Sequence, residues 1–467
     1  MKLQILIILF YAGICFTQCE KKPNYERAET IFKTTCSGCH GGQMQAFVDR
    51  KWKFGHSDED IYNTIKNGVD SLGMPSFGTA YTEAEIRELT QYIAEGIKNV
   101  DKYNFETILT SDTFKTKDFS FHLDTVLTGH DSYWGMAFMP DGGLLATSKA
   151  GAIYMVGADG KLDSLLNVPS VLYKGQGGLL DITIHPNFSV NHWIYISYSG
   201  FKNEDGKTLS TTVVDRAVLD GNELTNLTRI FEALPYSTTR HHYGSRLEFD
   251  NEGLLYISVG DRGNHDENPQ SLQSHCGKIH RINDDGSIPI DNPFVNLDSA
   301  VASIYSYGHR NPQGMALHPT TGEIWTHEHG PRGGDEINII KPGLNYGWPV
   351  ISYGLNYNGT ILTSLLEKEG MEKPLLYWVP SIAPCGMTFV KSERYSGWEN
   401  QLLVGSLRFK YLDLCMLDGD QVVSEERLME NIGRVRNVEI SPDGFIYVSV
   451  ERPGYIFKLV PIAKKSS

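Results

Sequence analysis

Five residues near the N-terminus carry the plainest chemistry in the chain. Cys36-Ser37-Gly38-Cys39-His40 is a CxxCH run, in which two thiols form thioethers to a porphyrin and the adjacent histidine becomes an axial iron ligand. A zinc or redox CxxC is the competing use, and it would want a second Cys/His pair nearby, which the sequence lacks. Downstream, Gly73-Met74-Pro75-Ser76-Phe77 places a thioether in a loop. Met74 opposite His40 would complete a His/Met iron centre, which raises the potential and suits electron acceptance. A c-type haem is therefore the first expected cofactor.

A second concentration of chemistry runs from Tyr307 to Trp348. It holds two adjacent donors, Arg310 and Asn311, a Gly330-Pro331 turn, an acidic pair, Asp335 and Glu336, and a return through Gly343 and Gly347. Arg310 can fork onto a carboxylate or quinone oxygen. The carbonyls of Gly330 and Pro331, exposed by a turn whose second residue has no N–H, suit Ca²⁺, and Glu336 with the backbone near Tyr346 can hold a second ion. Two uses fit these residues: one wall of a site for an anionic planar ligand with a hard cation, or a Gly/Pro-rich hairpin with surface charges.

Three further stretches offer polar groups that a turn does not need. His241 and His242 precede a strand-like run that ends in Gly260-Asp261. A neutral imidazole can take a hydroxyl proton and a carboxylate can set its tautomer, although lone histidines are as readily exposed or satisfied in a core. Gln176 sits in a Gly-rich turn with no following helix, so the turn is no phosphate loop. Near the C-terminus come Arg408 and the pair Arg434 and Arg436, which strand alternation sends out of one face. Two like charges aimed the same way repel unless an anion lies between them, or else they line a solvated strand face.

The elements that must position these groups divide the chain. Residues 24–98 read as a small all-α domain. Tyr25, Ala28, Ile31 and Phe32 have helical spacing before the CxxCH run. Ser57 to Asp60 opens a helix carrying Ile61 and Ile65 and stopping at Gly68, and Thr82-x-x-Glu85 is a capping box before Ile86, Leu89 and Ile93. Residues 99–119 serve as a linker or an entry strand. From 120 to 462 helical periodicity vanishes and short apolar runs such as WIYISYS, LLYISV and FIYVSV recur between Pro/Asp/Asn/Gly turns. That is an all-β, repeated architecture, and a propeller solves the edge problem of so many strands by radial repetition.

The chain has 467 residues, 46 of them glycine, 40% hydrophobic and 21% charged residues, and a formal net charge of −14. That composition supports large cores and argues against disorder. The acidic balance, with no basic block, argues against nucleic acid and anionic membrane surfaces as partners. Residues 1–19 read as an export signal, Lys2 followed by an apolar run too short for a confident span. Cys19 is a lipidation candidate, against plain secretion or a retained helix. The expected location is the periplasm or outer cell surface, with a possible lipid tether. Cys276, Cys385 and Cys415 stand singly and read as buried free thiols.

Three motifs, GHRNPQG, EHGPRGGDEIN and NYGWP, in this order, resemble those of the glucose/sorbosone dehydrogenase family, in particular its aldose sugar dehydrogenases that use pyrroloquinoline quinone (PQQ). The similarity runs roughly from Thr125 to Val460, and the N-terminal segment resembles a class I cytochrome c. The first resemblance implies six blades, His242 as general base with Asp261 orienting it, and Gln176 and His241 at the substrate mouth. It implies that Arg310, Asn311, Ser381, Arg408, Arg434 and Arg436 hold PQQ, beside the Ca²⁺ already expected at Gly330, Pro331, Glu336 and Tyr346. Arg408 stands where many members have Lys, and His241 where the soluble glucose dehydrogenases have Asp, which puts glucose-specific contacts in doubt. The expected function is oxidation of an aldose to a lactone, with electrons passed to the fused haem and on to a downstream acceptor. The alternatives are a non-sugar alcohol or aldehyde as substrate, and a non-catalytic binding propeller fused to an electron carrier.

Overall fold

Apolar residues at helical spacing account for the first unit of the chain. In the computed structural model, which describes residues 25–36, 54–55, 57–69, 74–98, 111–129, 132–356, 361–451 and 454–462, helix α1 (Glu26–Ile31) continues through one π-helical turn to Cys36. Helix α2 (Asp58–Asn67) starts where expected, and at a capping box. Ser57 Oγ accepts from the Asp60 N–H at 3.2 Å and Asp60 returns the bond to the Ser57 N–H at 3.1 Å. The helix stops at Gly68, whose φ of +69° and close approach to the 74–76 backbone leave no room for a side chain. Helix α3 (Glu83–Lys98) is capped by Thr82 and Glu85 in the same reciprocal way. Ala28, Ile31, Phe32, Ile61, Tyr62, Ile65, Ile86, Leu89 and Ile93 form its core, with Cys36 and Met74 packed against it. Residues 1–19, including Cys19, and the pair Cys39 and His40 lie outside the described residues. Among those described, no helix is long and apolar enough to cross a membrane.

The chain divides into two units, residues 1–48 with 52–102 and residues 103–467 with 49–51. The second is built from six antiparallel sheets. Blade 1 comprises β3 (Tyr133–Phe138), β4 (Leu144–Ser148), β5 (Ala152–Val156) and β6 (Leu162–Ser164). Blade 2 comprises β7 (Leu179–Ile184), β8 (Trp193–Glu204), β9 (Lys207–Asp220) and β10 (Glu223–Glu232). Blade 3 comprises β11 (Leu247–Phe249), β12 (Leu255–Val259), β13 (Lys278–Ile282) and β14 (Ile304–Tyr307). Blade 4 comprises β15 (Pro312–Leu317), β16 (Ile324–Glu328), β17 (Asp335–Ile340) and β18 (Leu376–Trp378), and blade 5 β19 (Pro384–Phe389), β20 (Leu402–Ser406), β21 (Leu412–Asp418) and β22 (Gln421–Leu428). Blade 6 takes β23 (Arg434–Ile440), β24 (Ile446–Glu451) and β25 (Gly454–Ile462) from the C-terminus and β1 (Thr113–Lys115) and β2 (Ser120–Gly129) from before blade 1. The segment read as a linker or an entry strand therefore supplies a strand, β1.

The first strands of successive blades touch in the ring β3, β7, β11, β15, β19, β23 and back to β3. They are the innermost strands, and their near-continuous burial, for example throughout Leu179–Asp181 and Pro384–Met387, fits strands covered on both faces. Ring closure is made by hydrogen bonds, with β2 paired to β25 from Ser120↔Ile462 to Gly129↔Gly454, so the two ends of the propeller share one sheet and leave no open seam.

A buried tyrosine ties blade 5 to this closing sheet. Tyr395 is 0% exposed, donates its hydroxyl to Leu459 O at 2.6 Å and accepts from the Ile446 N–H at 2.9 Å. Tyr395→Phe leaves both backbone groups unsatisfied, at a cost of about 1–3 kcal/mol. The expected result is a lower denaturant midpoint for the propeller with an unchanged slope, measured by urea unfolding.

Candidate active site

Blade topology decides where the site can form. Gln176, His242, Arg310, Ser381 and Arg434 lie just before, or at the first residue of, the innermost strands β7, β11, β15, β19 and β23. Each second strand is antiparallel to the first, so the residues that follow it return to the same end: Asp261 after β12, Gly330 after β16, Arg408 after β20 and Glu451 at the end of β24. One mouth of the ring thus collects residues from five blades.

His242 is the centre of this mouth. Its ring lies 2.7 Å from Asp261 Oδ1, and its backbone N–H donates to Gln176 Oε1 at 2.7 Å. The residue has φ +55°, in the left-handed region. The chain passes so close to Gly260 that a Cβ there would stand 2.3 Å from His242 O, so glycine is required. Asp261 also accepts from the Gly263 N–H at 2.7 Å and, through Oδ2, from Trp348 Nε1 at 2.9 Å. Burial pushes the Asp261 carboxyl up, but the His242 hydrogen bond, the nearby positive charges and the Gly263 N–H outweigh it and hold it below the usual range. An ionised carboxylate only accepts, so Nδ1 carries the imidazole proton and Nε2 presents a lone pair. Burial, and next the charge of Arg310, hold His242 at about 4, so the ring is a neutral base at neutral pH. His241 packs edge-on against His242 with centroids 4.6 Å apart and is also pulled down by burial.

Arg310 adjoins the His242–Asp261 pair, its backbone carbonyl accepting from the Asp261 N–H at 2.8 Å. It is 5% exposed, its Nη1 donates to His329 O at 3.1 Å and Gly330 O at 2.9 Å, and its guanidinium lies 5.2 Å over the Trp348 ring. Its Nε–H is buried with no hydrogen-bond partner among the described residues. Glu328 fixes the base of this arginine by accepting from its backbone N–H and bonding His309 Nδ1 at 3.0 Å. Asn311 Oδ1 accepts from the Gly244 N–H at 3.1 Å.

Of the metal candidates, Glu336 pairs across the ladder with Glu328, and its neighbour Asp335 accepts from the Gly330 N–H at 2.8 Å. Glu336 is pushed well above the usual carboxylate range by burial and then by the charge of Glu328. Asp335, raised to about 6 by burial against hydrogen bonds from Ser381, Gly330 and Ala383, is 0% exposed. Ser381 donates its hydroxyl to Asp335, at 2.7 Å to Oδ2, and so braces the carboxylate that accepts from the Gly330 N–H. The Tyr346 hydroxyl is likewise taken, donating to Ile339 O at 2.6 Å and accepting from the Lys341 N–H at 2.9 Å. Its backbone alone remains for a metal.

The C-terminal arginines correct one expectation. Arg434 and Arg436 do share a face, across a bulge between Val435 and Asn437, but the anion between them is internal. Glu451 accepts from Arg434 Nε at 3.1 Å and from Arg436 Nε at 2.6 Å. Burial raises its carboxyl, but Arg436 and then Arg434 bring it down to about 2. Arg436 retains 11% side-chain exposure and Arg434 38%, so Arg434 is the one still open to an outside anion. Arg408 is pulled down to about 10 by burial. Sequence reading passed over Glu451, Glu328 and Trp348. The last two lie inside the quoted motifs, while Glu451 carries no motif at all.

With this geometry in hand, residues 130–458 match the family described as Glucose / Sorbosone dehydrogenase. The chain belongs to the glucose/sorbosone dehydrogenase family. Residues 23–93 match the cytochrome c family described as Cytochrome C oxidase, cbb3-type, subunit III, so this dehydrogenase-family propeller follows a c-type cytochrome domain. The chain is 39% identical over 337 residues to the aldose sugar dehydrogenase YliI of Escherichia coli, covering 71% of this chain and 90% of that one. It is similar to the apo-form crystal structure of the soluble aldose sugar dehydrogenase from Escherichia coli at a TM-score of 0.70 and 36% identity, covering 73% of this chain and 100% of the other. It is also similar to the PQQ-bound aldose sugar dehydrogenase from Streptomyces coelicolor at a TM-score of 0.59 and 27% identity, covering 73% and 98%. Six blades and the N-terminal cytochrome domain are as the sequence implied.

His242 titrates near 4 in the folded chain against about 6.5 when unfolded. Below about pH 6.5 the unfolded chain therefore binds the extra proton first, and native stability falls until about pH 4. The expected loss across that window is on the order of 1–3 kcal/mol more in the natural protein than in His242→Gln. Urea unfolding at stepped pH values measures it.

Proposed function

We propose that the chain is a PQQ- and Ca²⁺-dependent dehydrogenase that oxidises aldose sugars to lactones and passes the electrons to its own c-type haem. The observation that carries this reading is His242, a neutral base oriented by Asp261 and near Arg310, whose buried Nε–H has no acceptor among the described residues. An anionic or carbonyl oxygen at the mouth would satisfy that donor, and Asn311, Arg408 and Arg434 add donors of the kind a planar tricarboxylate needs. The crowding of Glu336 against Glu328 would be relieved by a divalent cation, with the carbonyls of Gly330, Pro331 and Tyr346 as further oxygen ligands. Bound PQQ would supply the two-electron acceptor for the hydride that leaves the sugar.

The chain's own residues then do ordinary proton chemistry. His242 Nε2 takes the proton of the anomeric hydroxyl while Asp261 holds the Nδ1–H and stabilises the imidazolium. Gln176 fixes the His242 backbone, and with His241 it borders the place where the sugar would enter. Two electrons leave the sugar for each lactone formed; Cys36, Cys39 and His40, with Met74, would hold a haem that supplies a one-electron acceptor. Fusing acceptor to catalyst raises the acceptor's effective concentration. Covalent haem attachment and the apolar N-terminal run support a place outside the cytoplasm, in the periplasm or on the outer surface, with Cys19 as a lipid tether.

Haem-loaded protein purified without PQQ provides the test. After Ca²⁺ and PQQ are added, an aldose panel should reduce the haem absorbance, and omission of PQQ should abolish the response. His242→Ala should slow it by about 10²–10⁴-fold, and Asp261→Asn, which frees the wrong tautomer, by a comparable factor. Reduction by alcohols or aldehydes but by no aldose overturns the substrate assignment, and failure of PQQ to bind overturns the reading as a whole.

A further inference from the structure

Three side chains of metal-ligand type meet on the outer strands of blade 5, rather than on the innermost strands that build the mouth. Asp413 and Cys415 are two apart on β21 and so share a face, and the register of β21 with β22 sets Cys415 opposite Glu425. One ligand atom from each of the three lies within 4.8 Å of the other two. Asp413 is 1% exposed, Cys415 is 0% exposed and Glu425 is exposed. The group is thus walled by protein on two sides and reached from solvent past Glu425.

Two observations give this cluster a direction. Asp413 Oδ1 is buried with no N–H donor among the described residues, and only the Glu425 carboxyl stands beside it, which is costly for a carboxylate unless a proton or a cation lies between the two. Glu425 is held from the neighbouring blade, since Trp378 Nε1 on β18 donates to Glu425 Oε1 at 2.6 Å. An outer donor that fixes a ligating carboxylate is the usual support of a metal site. Arg427, opposite Asp413 in the register, offsets part of the negative charge. Burial and then the charge of Glu425 push the Asp413 carboxyl well up, and burial does the same to the Cys415 thiol.

We propose that Asp413, Cys415 and Glu425 form a binding site for a divalent cation of the zinc class. One thiolate sulfur and two carboxylate oxygens suit Zn²⁺, with a water completing four ligands at the solvent side. Ca²⁺ and Mg²⁺, which take oxygen ligands, are disfavoured by the sulfur. Binding displaces the thiol proton and any proton shared by the two carboxyl groups, and involves no redox change. The site bridges blades, because its Glu425 is bonded to Trp378 and Trp378 pairs with Asp335 in the β17–β18 ladder. Its occupancy would clasp blade 5 to the strand that backs the Gly330 turn.

The test uses full-length haem-loaded protein kept saturated with Ca²⁺, dialysed against micromolar Zn²⁺, with bound metal measured by mass spectrometry. One zinc per chain is expected in the natural protein. Asp413→Asn and Cys415→Ser should each lose it, and Trp378→Phe should weaken it about 10–100-fold. Glu425→Gln alters an exposed residue and guards against a folding failure. Zinc should raise the unfolding temperature of the natural protein and leave that of Glu425→Gln unchanged. Equal zinc uptake by the natural protein and all the variants would assign the metal to adventitious histidines and overturn the proposal. Absence of uptake in the natural protein would overturn it too, leaving a carboxyl pair that shares a proton.

Discussion

The ring of innermost strands is the constraint on which everything else in the propeller depends. Each blade alone has an open edge on either side and a site residue or two at its inner end. Only when β2 pairs with β25 does the sixth sheet close and hold Gln176, His242, Arg310, Ser381 and Arg434 around one mouth. The closing ladder is backed by Tyr395, whose hydroxyl serves both β24 and β25. Closure is thus both the fold's remedy for unpaired strands and the device that brings distant stretches of sequence within hydrogen-bonding reach.

Inside that ring the electrostatics follow one rule: a buried charge has a fixed partner or an altered protonation state. Glu451 sits between Arg434 and Arg436, and Asp261 is ringed by His242, Gly263 and Trp348. Those groups are settled within the protein. The departures are informative for the same reason. Among the described residues Arg310 Nε has no acceptor, Glu336 is buried beside Glu328, and Asp413 Oδ1 has no N–H donor. Two of these lie at the mouth, where a cofactor and a hard cation would answer them, and the third lies between two outer strands, where a softer cation would.

Glu451 also changes how the arginine cluster is weighed. Mutual repulsion of four arginines at one mouth would by itself demand an external anion. Glu451 cancels part of that demand for Arg434 and Arg436, so the need for an anionic ligand falls on Arg310 and on the exposed part of Arg434. Arg436 becomes a structural residue, bonded to Gln313 and Cys385 as well as to Glu451. It ties the innermost strands of blades 4, 5 and 6 at the channel.

Local chemistry was legible in the sequence wherever one short stretch suffices to specify it. The caps at Ser57 and Thr82, the stop at Gly68, the helical spacing before Cys36, and the turns between strands all depend on residues a few positions apart, and the structure has them as read. The motifs around Arg310 and Gly330 were visible because their residues are contiguous. The partners that give those residues their chemistry were not. Trp348 reaches Asp261 across 87 positions, Ser381 reaches Asp335 across 46, and Trp378 reaches Glu425 across 47. The sequence by itself determined which elements form and which residue types are available. Tertiary structure alone decided which charges meet, because antiparallel return and ring closure set those distances and burial sets the protonation states that follow.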